Sequence, residues 1–184
     1  MKYGPEYVLM LSRMVKKFLG RELICLSDQP NPVKTYKLLH YEGFWSKMEL
    51  FSPENRFLRP CLYLDLDTYL FDDCRELLFE PEDLWLIRDF YNQDRSNSGV
   101  MVIPKDTSEI WENHFKTERR VDGDFLTTQK HKVLQDKFPW IMSYKVNCKN
   151  NPVGKVCCFH GQPKPHNVSG WAKETWQNWT SPNF

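Results

Sequence analysis

The sequence predicts a single α/β domain, a mostly parallel mixed sheet flanked by helices, and three observations carry that expectation. Short apolar runs of strand length, Cys61-Leu62-Tyr63-Leu64 the plainest, alternate along the chain with segments of helical apolar spacing. Turn-forming residues such as Ser27-Asp28, Pro53 and Gly161 punctuate the changes. The 184 residues, 41% hydrophobic and 15% aromatic, suffice for one buried core and are too few for two, so residues 1–184 read as one domain.

The first helix is expected to begin near Pro5, whose fixed φ and missing N–H suit a first turn, and to stop at Gly20. Tyr7, Leu11, Met14 and Phe18 recur at helical spacing, while Arg13, Lys16 and Lys17 point elsewhere. Glu22–Leu26 reads as a short buried strand. A second helix is expected over Phe44–Phe51, with Phe44, Met48 and Phe51 on one face and Pro53 closing it. Cys61–Leu64 has the continuous apolar character of a central parallel strand, and it runs into Asp65-Leu66-Asp67. Further strands are expected at Leu84–Ile87 and Gly99–Ile103. Asp106 and Glu109 form a capping pair for a helix carrying Ile110, Trp111 and Phe115. A helix from about Asp124 to Leu134, a late strand over Lys155–Phe159 and a last helix near Trp171–Trp179 complete the chain.

Composition narrows the function. A formal net charge of +1 provides no broad field for nucleic acid, although a local basic pocket remains compatible with it. The six cysteines contain no CxxC pair, and Cys25, Cys61 and Cys157 sit in apolar runs, which reads as reduced thiols in a cytoplasmic protein. Met1–Glu6 lacks the apolar stretch of a signal peptide, and no apolar run approaches the roughly 20 residues of a membrane span. The glycosylation-like triplets at Asn167 and Asn178 then read as chance matches.

Asp65 and Asp67 are the sharpest chemical signal. In extended backbone they point to one side, roughly 6.5 Å apart. Two carboxylates at the open end of a buried strand are costly unless a positive group lies between them, and a hard divalent cation is a natural partner. The plain alternative is a solvated acidic turn. His160, after an apolar run and before Gly161 and Lys164, has a metal ligand's chemistry, with Gly161 letting backbone approach a phosphate and Lys164 neutralising it; the plain alternative, favoured when the segment is taken alone, is a histidine at a strand end with a solvated lysine nearby. Because ligands in open α/β sheets bind beyond the strands' carboxyl ends, Asp28, Asp65, Asp67 and His160 are expected on one rim. In Asp122-Gly123-Asp124, Asp122 reads best as a helix cap. Asn97-Ser98-Gly99 is either functional or an ordinary turn, and Lys47 either reaches a phosphate or faces solvent. His40, His114, His131 and His166 show no ligand spacing and read as structural or surface residues.

In order along the chain, Lys2-Tyr3-Gly4-Pro5-Glu6-Tyr7-Val8, Cys25-Leu26-Ser27-Asp28, Trp45-Ser46-Lys47, Leu62-Tyr63-Leu64-Asp65-Leu66-Asp67-Thr68, Asn97-Ser98-Gly99-Val100, Gly123-Asp124-Phe125-Leu126 and Phe159-His160-Gly161 with Lys164-Pro165 resemble the GT-A fold nucleotide-diphospho-sugar transferases, glycosyltransferase family 8 and related bacterial and viral glycosyltransferases above all. The resemblance implies a Rossmann-like domain, a hexosyltransferase-like activity, a UDP-sugar donor, a carbohydrate or glycoconjugate acceptor and Mn2+ or Mg2+. It implies that Asp65, Asp67 and His160 bind the metal, that Lys164 contacts donor phosphate, and that Asn97 lines the sugar pocket. Asp28, Lys47 and Gly161 would also line the donor site. Family 8 likeness suggests retention at the anomeric carbon, with Asp124 or Gln129 beside it.

Two features depart from the pattern. The apolar strand that usually precedes the Lys-Tyr-Gly-Pro-like segment is absent, and His166 follows Lys164-Pro165 where tryptophan is usual. Two other readings stay open: a non-catalytic nucleotide-sugar-binding remnant of the fold, and a metal-dependent phosphate-transfer enzyme. Trp171, Trp176 and Trp179 either stack on an acceptor sugar or pack internally.

Overall fold

The computed structural model describes residues 3–118 and 121–182; Lys2 and the side chain of Phe44, which enter the sequence reading, lie outside the described residues. Helix α1 (Pro5–Leu19) has Pro in its first turn and ends at Gly20, whose φ of 64° is the left-handed stop a glycine accepts without a Cβ clash. One face of α1, from Tyr7 through Met10, Leu11 and Met14 to Leu19, is buried, and each such side chain contributes about 1.5–3 kcal/mol by leaving water. It packs on α4 (Trp171–Thr180), with Tyr7 against Trp176 and Phe18 against Trp179. Arg13 Nη1 donates at 2.7 Å to the carbonyls of Trp179 and Ser181, satisfying acceptors that the end of α4 leaves unpaired. These tryptophans are therefore core and capping partners, which settles their role as internal packing.

The strands form three sheets among the described residues. Strands β1 (Ile24–Leu26) and β2 (Lys34–Tyr36) pair in parallel. A four-stranded sheet has the order β3 (Cys61–Leu64), β6 (Ser96–Ile103), β5 (Leu84–Arg88), β7 (His131–Val133). A three-stranded sheet has the order β4 (Thr68–Leu70), β9 (Val156–Cys158), β8 (Ile141–Ser143). The mixed α/β class holds, but the parallel share is smaller than expected: β1–β2, β5–β7 and β8–β9 are parallel, whereas β3–β6, β5–β6 and β4–β9 are antiparallel. The expected central parallel strand, β3, pairs antiparallel with β6 and stands at the end of its sheet's order.

Strand β6 of the four-stranded sheet packs into a core on each face. Val100 and Val102 of β6 join the large core with α1 and α4, while Met101 and Ile103 join a second core with Met48, Phe51 and Phe125. This period-two division explains why the run is apolar without interruption.

Other expectations are corrected in detail. The segment over Gly43–Phe51 is a 3-10 helix rather than an α-helix, and Pro53, expected to end it, also opens a second one over Pro53–Leu58. Strand β1 is half-exposed, with Ile24 outermost. The expected pair of caps on α2 (Ser108–His114) is one-sided: Asp106 accepts from the Ser108 N–H at 3.0 Å, and Glu109 makes no described reciprocal bond. The helix expected from Asp124 to Leu134 is only α3 (Asp122–Leu126), after which His131–Val133 pairs with β5. Strands β2, β4 and β8 and the π-helical turn Tyr144–Cys148 were not foreseen. All six cysteines are free, and no helix of the described residues is long and apolar enough to cross a membrane.

Candidate active site

The site lies where the chain passes from the four-stranded sheet to the three-stranded one. Asp65-Leu66-Asp67 is a turn, not extended backbone: Thr68 N donates to Asp65 O at 3.0 Å, so β3 leads directly into β4. The antiparallel pairing of β4 with β9 sets Thr68 opposite Cys158, and Phe159 N donates to Asp67 O at 3.3 Å. That register brings His160 to the acidic turn. From the other sheet, the β5–β6 register slips so that Leu86 faces Met101 and Ile87 faces Asn97. The bulge leaves Ser98, Gly99 and Val100 without partners on β5, and Gly99 lines the site. Asp65, Asp67, Asn97, Gly99, Phe90 and His160 all line the resulting pocket. Space is tight at Gly99: a Cβ on it would stand 3.2 Å from Asp65 Oδ2 and 3.0 Å from Asn97 Oδ1, so those side chains would have to give by a few tenths of an ångström.

The two carboxylates differ. Asp65 Oδ1 accepts from Tyr63 Oη at 2.6 Å and lies 3.3 Å from Lys47 Nζ. Asp67 is 2% exposed and carries a buried ion pair with Lys164, itself 3% exposed. Tyr3 Oη donates to Asp67 Oδ2 at 3.1 Å and accepts from Lys164 at 2.7 Å. Burial, then the Asp67 charge, holds the Tyr3 phenol far above its ordinary range, so it stays a donor. Burial also pushes the Asp67 carboxyl up, against the pull of Lys164 and Tyr3.

His160 Nε2 shares a 2.7 Å hydrogen bond with Ser143 Oγ, and its ring stacks on Phe90 with centroids 5.4 Å apart. Burial first, then the Lys145 ammonium, lowers its pKa, which favours the neutral imidazole a metal binds. The donor set of the pocket, two carboxylates and a neutral imidazole, fits a hard divalent cation in kind. The three do not yet converge: among the described residues no group of three His, Cys, Asp or Glu side chains is placed to hold an ion. Asp67 is drawn to Lys164 and Tyr3, and His160 to Ser143.

Lys47 bridges the other side of the site. Its Nζ donates at 3.1 Å to both Ser98 O and Ser98 Oγ and lies 3.7 Å from Asp122 Oδ2. Asp122 is not the expected cap, because Val121 holds the N-cap position and Asp122 is the first residue of α3. It is buried, and Oδ2 has no hydrogen-bond partner, which makes it a candidate for the site. The sequence signal for it was its neighbour Asp124, which instead lies exposed on α3. Gln129 bonds Asn113 and its own helix end, Asp28 is exposed beyond β1, and neither is among the lining residues. Gly161 follows His160 at the rim with φ of 67°. The other four histidines are structural or surface: His114 is buried and bonds Tyr41 Oη at 2.5 Å, and His131 bonds Ser96 Oγ at 2.7 Å. His40 meets Glu54 in an exposed pair, and His166 meets Tyr7.

Burial raises the Asp122 carboxyl above its ordinary value of 3.8, outweighing the pull of Lys47 and the Gly123 N–H. A raised folded value means that the folded chain holds the proton more tightly than the unfolded one. The stability owed to this group is complete below the unfolded value and is lost as pH rises through the folded one. Asp122→Asn, which cannot ionise, should therefore gain stability relative to wild type as pH climbs from about 3 to about 7. Urea unfolding at several pH values measures this, and a difference that stays constant across the range rejects it.

No family model matches the chain, and no curated protein sequence matches it. Solved structures do, and they define the class: the chain has a glycosyltransferase fold. It superposes on an active-site variant of LgtC with a TM-score of 0.55 and 12% identity, covering 95% of this chain and 91% of that one. It also superposes on the apo form of the glycosyltransferase GlyE of Streptococcus pneumoniae, with a TM-score of 0.50 and 18% identity, covering 97% of this chain. The match spans 50% of the GlyE chain.

Proposed function

We propose that the protein transfers a sugar from a nucleotide-diphosphate donor, a UDP-sugar, to a carbohydrate or glycoconjugate acceptor, with a divalent cation, Mn2+ or Mg2+. The observation that carries this reading is the pocket at the sheet junction, where Asp65, Asp67 and His160 line one surface of a glycosyltransferase fold. Those three residues would hold the cation, which would act as a Lewis acid toward the charge growing on the departing diphosphate. Lys164, beside Asp67, and Lys47, between Asp65 and Asp122, add fixed positive charge within the same site. Asp122, whose Oδ2 faces Lys47 but takes part in no hydrogen bond, is suited to accept one from a hydroxyl of the donor sugar, and Asn97 lines the pocket beside Asp65. Transfer with retention would place Asp124 or Gln129 near the anomeric carbon.

A thermal-shift series with nucleotide sugars, with and without Mn2+, tests this. A UDP-sugar together with Mn2+ at a hundredfold excess over Kd should add about 2.7 kcal/mol, or about 5–10 °C in Tm. Melting unchanged by every nucleotide sugar, with or without metal, overturns the proposal. The non-catalytic reading is favoured by the buried Asp67–Lys164 pair, which engages a proposed metal ligand. It predicts the same shift without release of UDP.

A further inference from the structure

The lysines around the pocket differ in what holds them. Lys164 is buried against Asp67 and Tyr3, and Lys47 is held by Ser98, Asp65 and Asp122. Lys145 is half-buried, and among the described residues no carboxylate lies within ion-pair distance of its Nζ. It is nevertheless well placed. Lys145 sits in the π-helical turn Tyr144–Cys148, whose start is pinned by Ser143: Ser143 Oγ meets His160 Nε2 at 2.7 Å and accepts from Val146 N at 3.3 Å. The ammonium lies 3.5 Å from where a Cβ on Gly161 would stand, directly at the rim beside His160. On its other side is the ring of Tyr91, 5.8 Å away and 66% exposed, on a loop held by Asp89 Oδ1 accepting from Tyr91 N and Asn92 N at 2.8 Å.

An ammonium without a carboxylate partner, a bare glycine backbone and an aromatic ring thus meet beside His160, which lines the pocket. A lysine held this way is a point charge for an anion, and the missing side chain at Gly161 leaves room for one beside the backbone. We infer that Lys145 contacts the phosphates of the bound nucleotide diphosphate. This rests on the nucleotide-sugar reading above and extends it, since the lysine that the sequence offered for that contact, Lys164, is engaged by Asp67.

Calorimetric titration of the full chain with UDP and with inorganic pyrophosphate, in the presence of Mn2+, tests the inference. Lys145→Ala should weaken both ligands on the order of tenfold, and Lys145→Arg should keep most of the affinity, because charge at that point is what is lost. The melting temperature of Lys145→Ala without ligand should match wild type, which separates a lost contact from a damaged fold. Unchanged affinity of Lys145→Ala for both ligands overturns the role of Lys145 while leaving the nucleotide-sugar reading intact. Pyrophosphate binding that depends on Lys145, in a wild type that does not distinguish UDP from pyrophosphate, supports the anion contact and rejects the nucleotide. A wild type that binds neither rejects both.

Discussion

Lys164→Ala should lose about 3–5 kcal/mol of stability, the usual cost of leaving one charge of a buried pair without its partner. Both side chains are almost wholly inaccessible, 4% for Lys164 and 3% for Asp67, so water cannot replace the lost ammonium. Against a total of about 5–15 kcal/mol for a domain, the variant should lose a large share of its stability. The pair is not thereby a stabilising device. Burial is the largest influence on Asp67 and raises its carboxyl despite Lys164, so the ionised form is less favourable in the fold than in water. The sign follows: the stability this carboxyl contributes is complete below its ordinary value and declines as pH rises through the raised one. Replacing both charges together, Asp67→Asn with Lys164→Met, should then restore most of the loss and remove donor turnover. Urea unfolding of the single and double variants measures this. A single variant within about 1 kcal/mol of wild type would show that the two charges are not mutually dependent.

A buried ion pair of this kind is costly to desolvate. Asp67, the last residue of the acidic turn, sits where the chain passes from the four-stranded sheet to the three-stranded one and lines the pocket with His160, and Lys164 pairs with it there. Much of this was legible in the residues. Pro5 and Gly20 act locally through fixed and left-handed φ, so α1 reads from sequence to the residue. The apolar run before Asp65 is a half-buried strand touching both cores and the one before His160 is a fully buried strand, and burial leaves its mark on composition. What was not legible depends on contacts distant in sequence. His131–Val133 carries no strand pattern in three residues and becomes β7 only by pairing with Leu84–Leu86. Thr68–Leu70 is equally short and is fixed by Cys158 and its neighbours. The extended geometry assumed for Asp65-Leu66-Asp67 gave way to a turn because β4 pairs in a different sheet from β3.

The candidate site divides the same way. Asp65, Asp67 and His160 follow strands, and strand ends are visible in sequence, whereas Asn97, read as part of a turn, lies inside β6. Asp122 was hidden because an acidic residue at a helix start serves equally as a cap; only the bulge at Ser98, which brings Lys47 alongside, makes it part of the site. Lys145 was hidden for another reason. It lies in no motif, and the π-helical turn that aims it at Gly161 has no sequence signature.

Asp65→Asn should leave stability within about 0.5 kcal/mol of wild type and lower UDP-sugar turnover by about 100-fold or more. The first half follows from exposure: the Asp65 side chain is 40% accessible, so neutralising it strands no buried charge. The amide keeps an acceptor for Tyr63 Oη and the same size beside Gly99. Lys47 retains both Ser98 oxygens and Asp122. The second half follows from what the amide cannot supply, an anionic oxygen on the pocket side, where Gly99 leaves Oδ2 uncovered. Asp67 is a poor test of the same chemistry, because its neutralisation also leaves Lys164 buried and unpaired, and lost activity there would not distinguish lost structure from a lost ligand. UDP release at saturating Mn2+, measured beside the urea midpoint of each variant, separates the two. Turnover of Asp65→Asn within about threefold of wild type would remove this carboxylate from the chemistry, and with it the shared cation proposed for Asp65, Asp67 and His160.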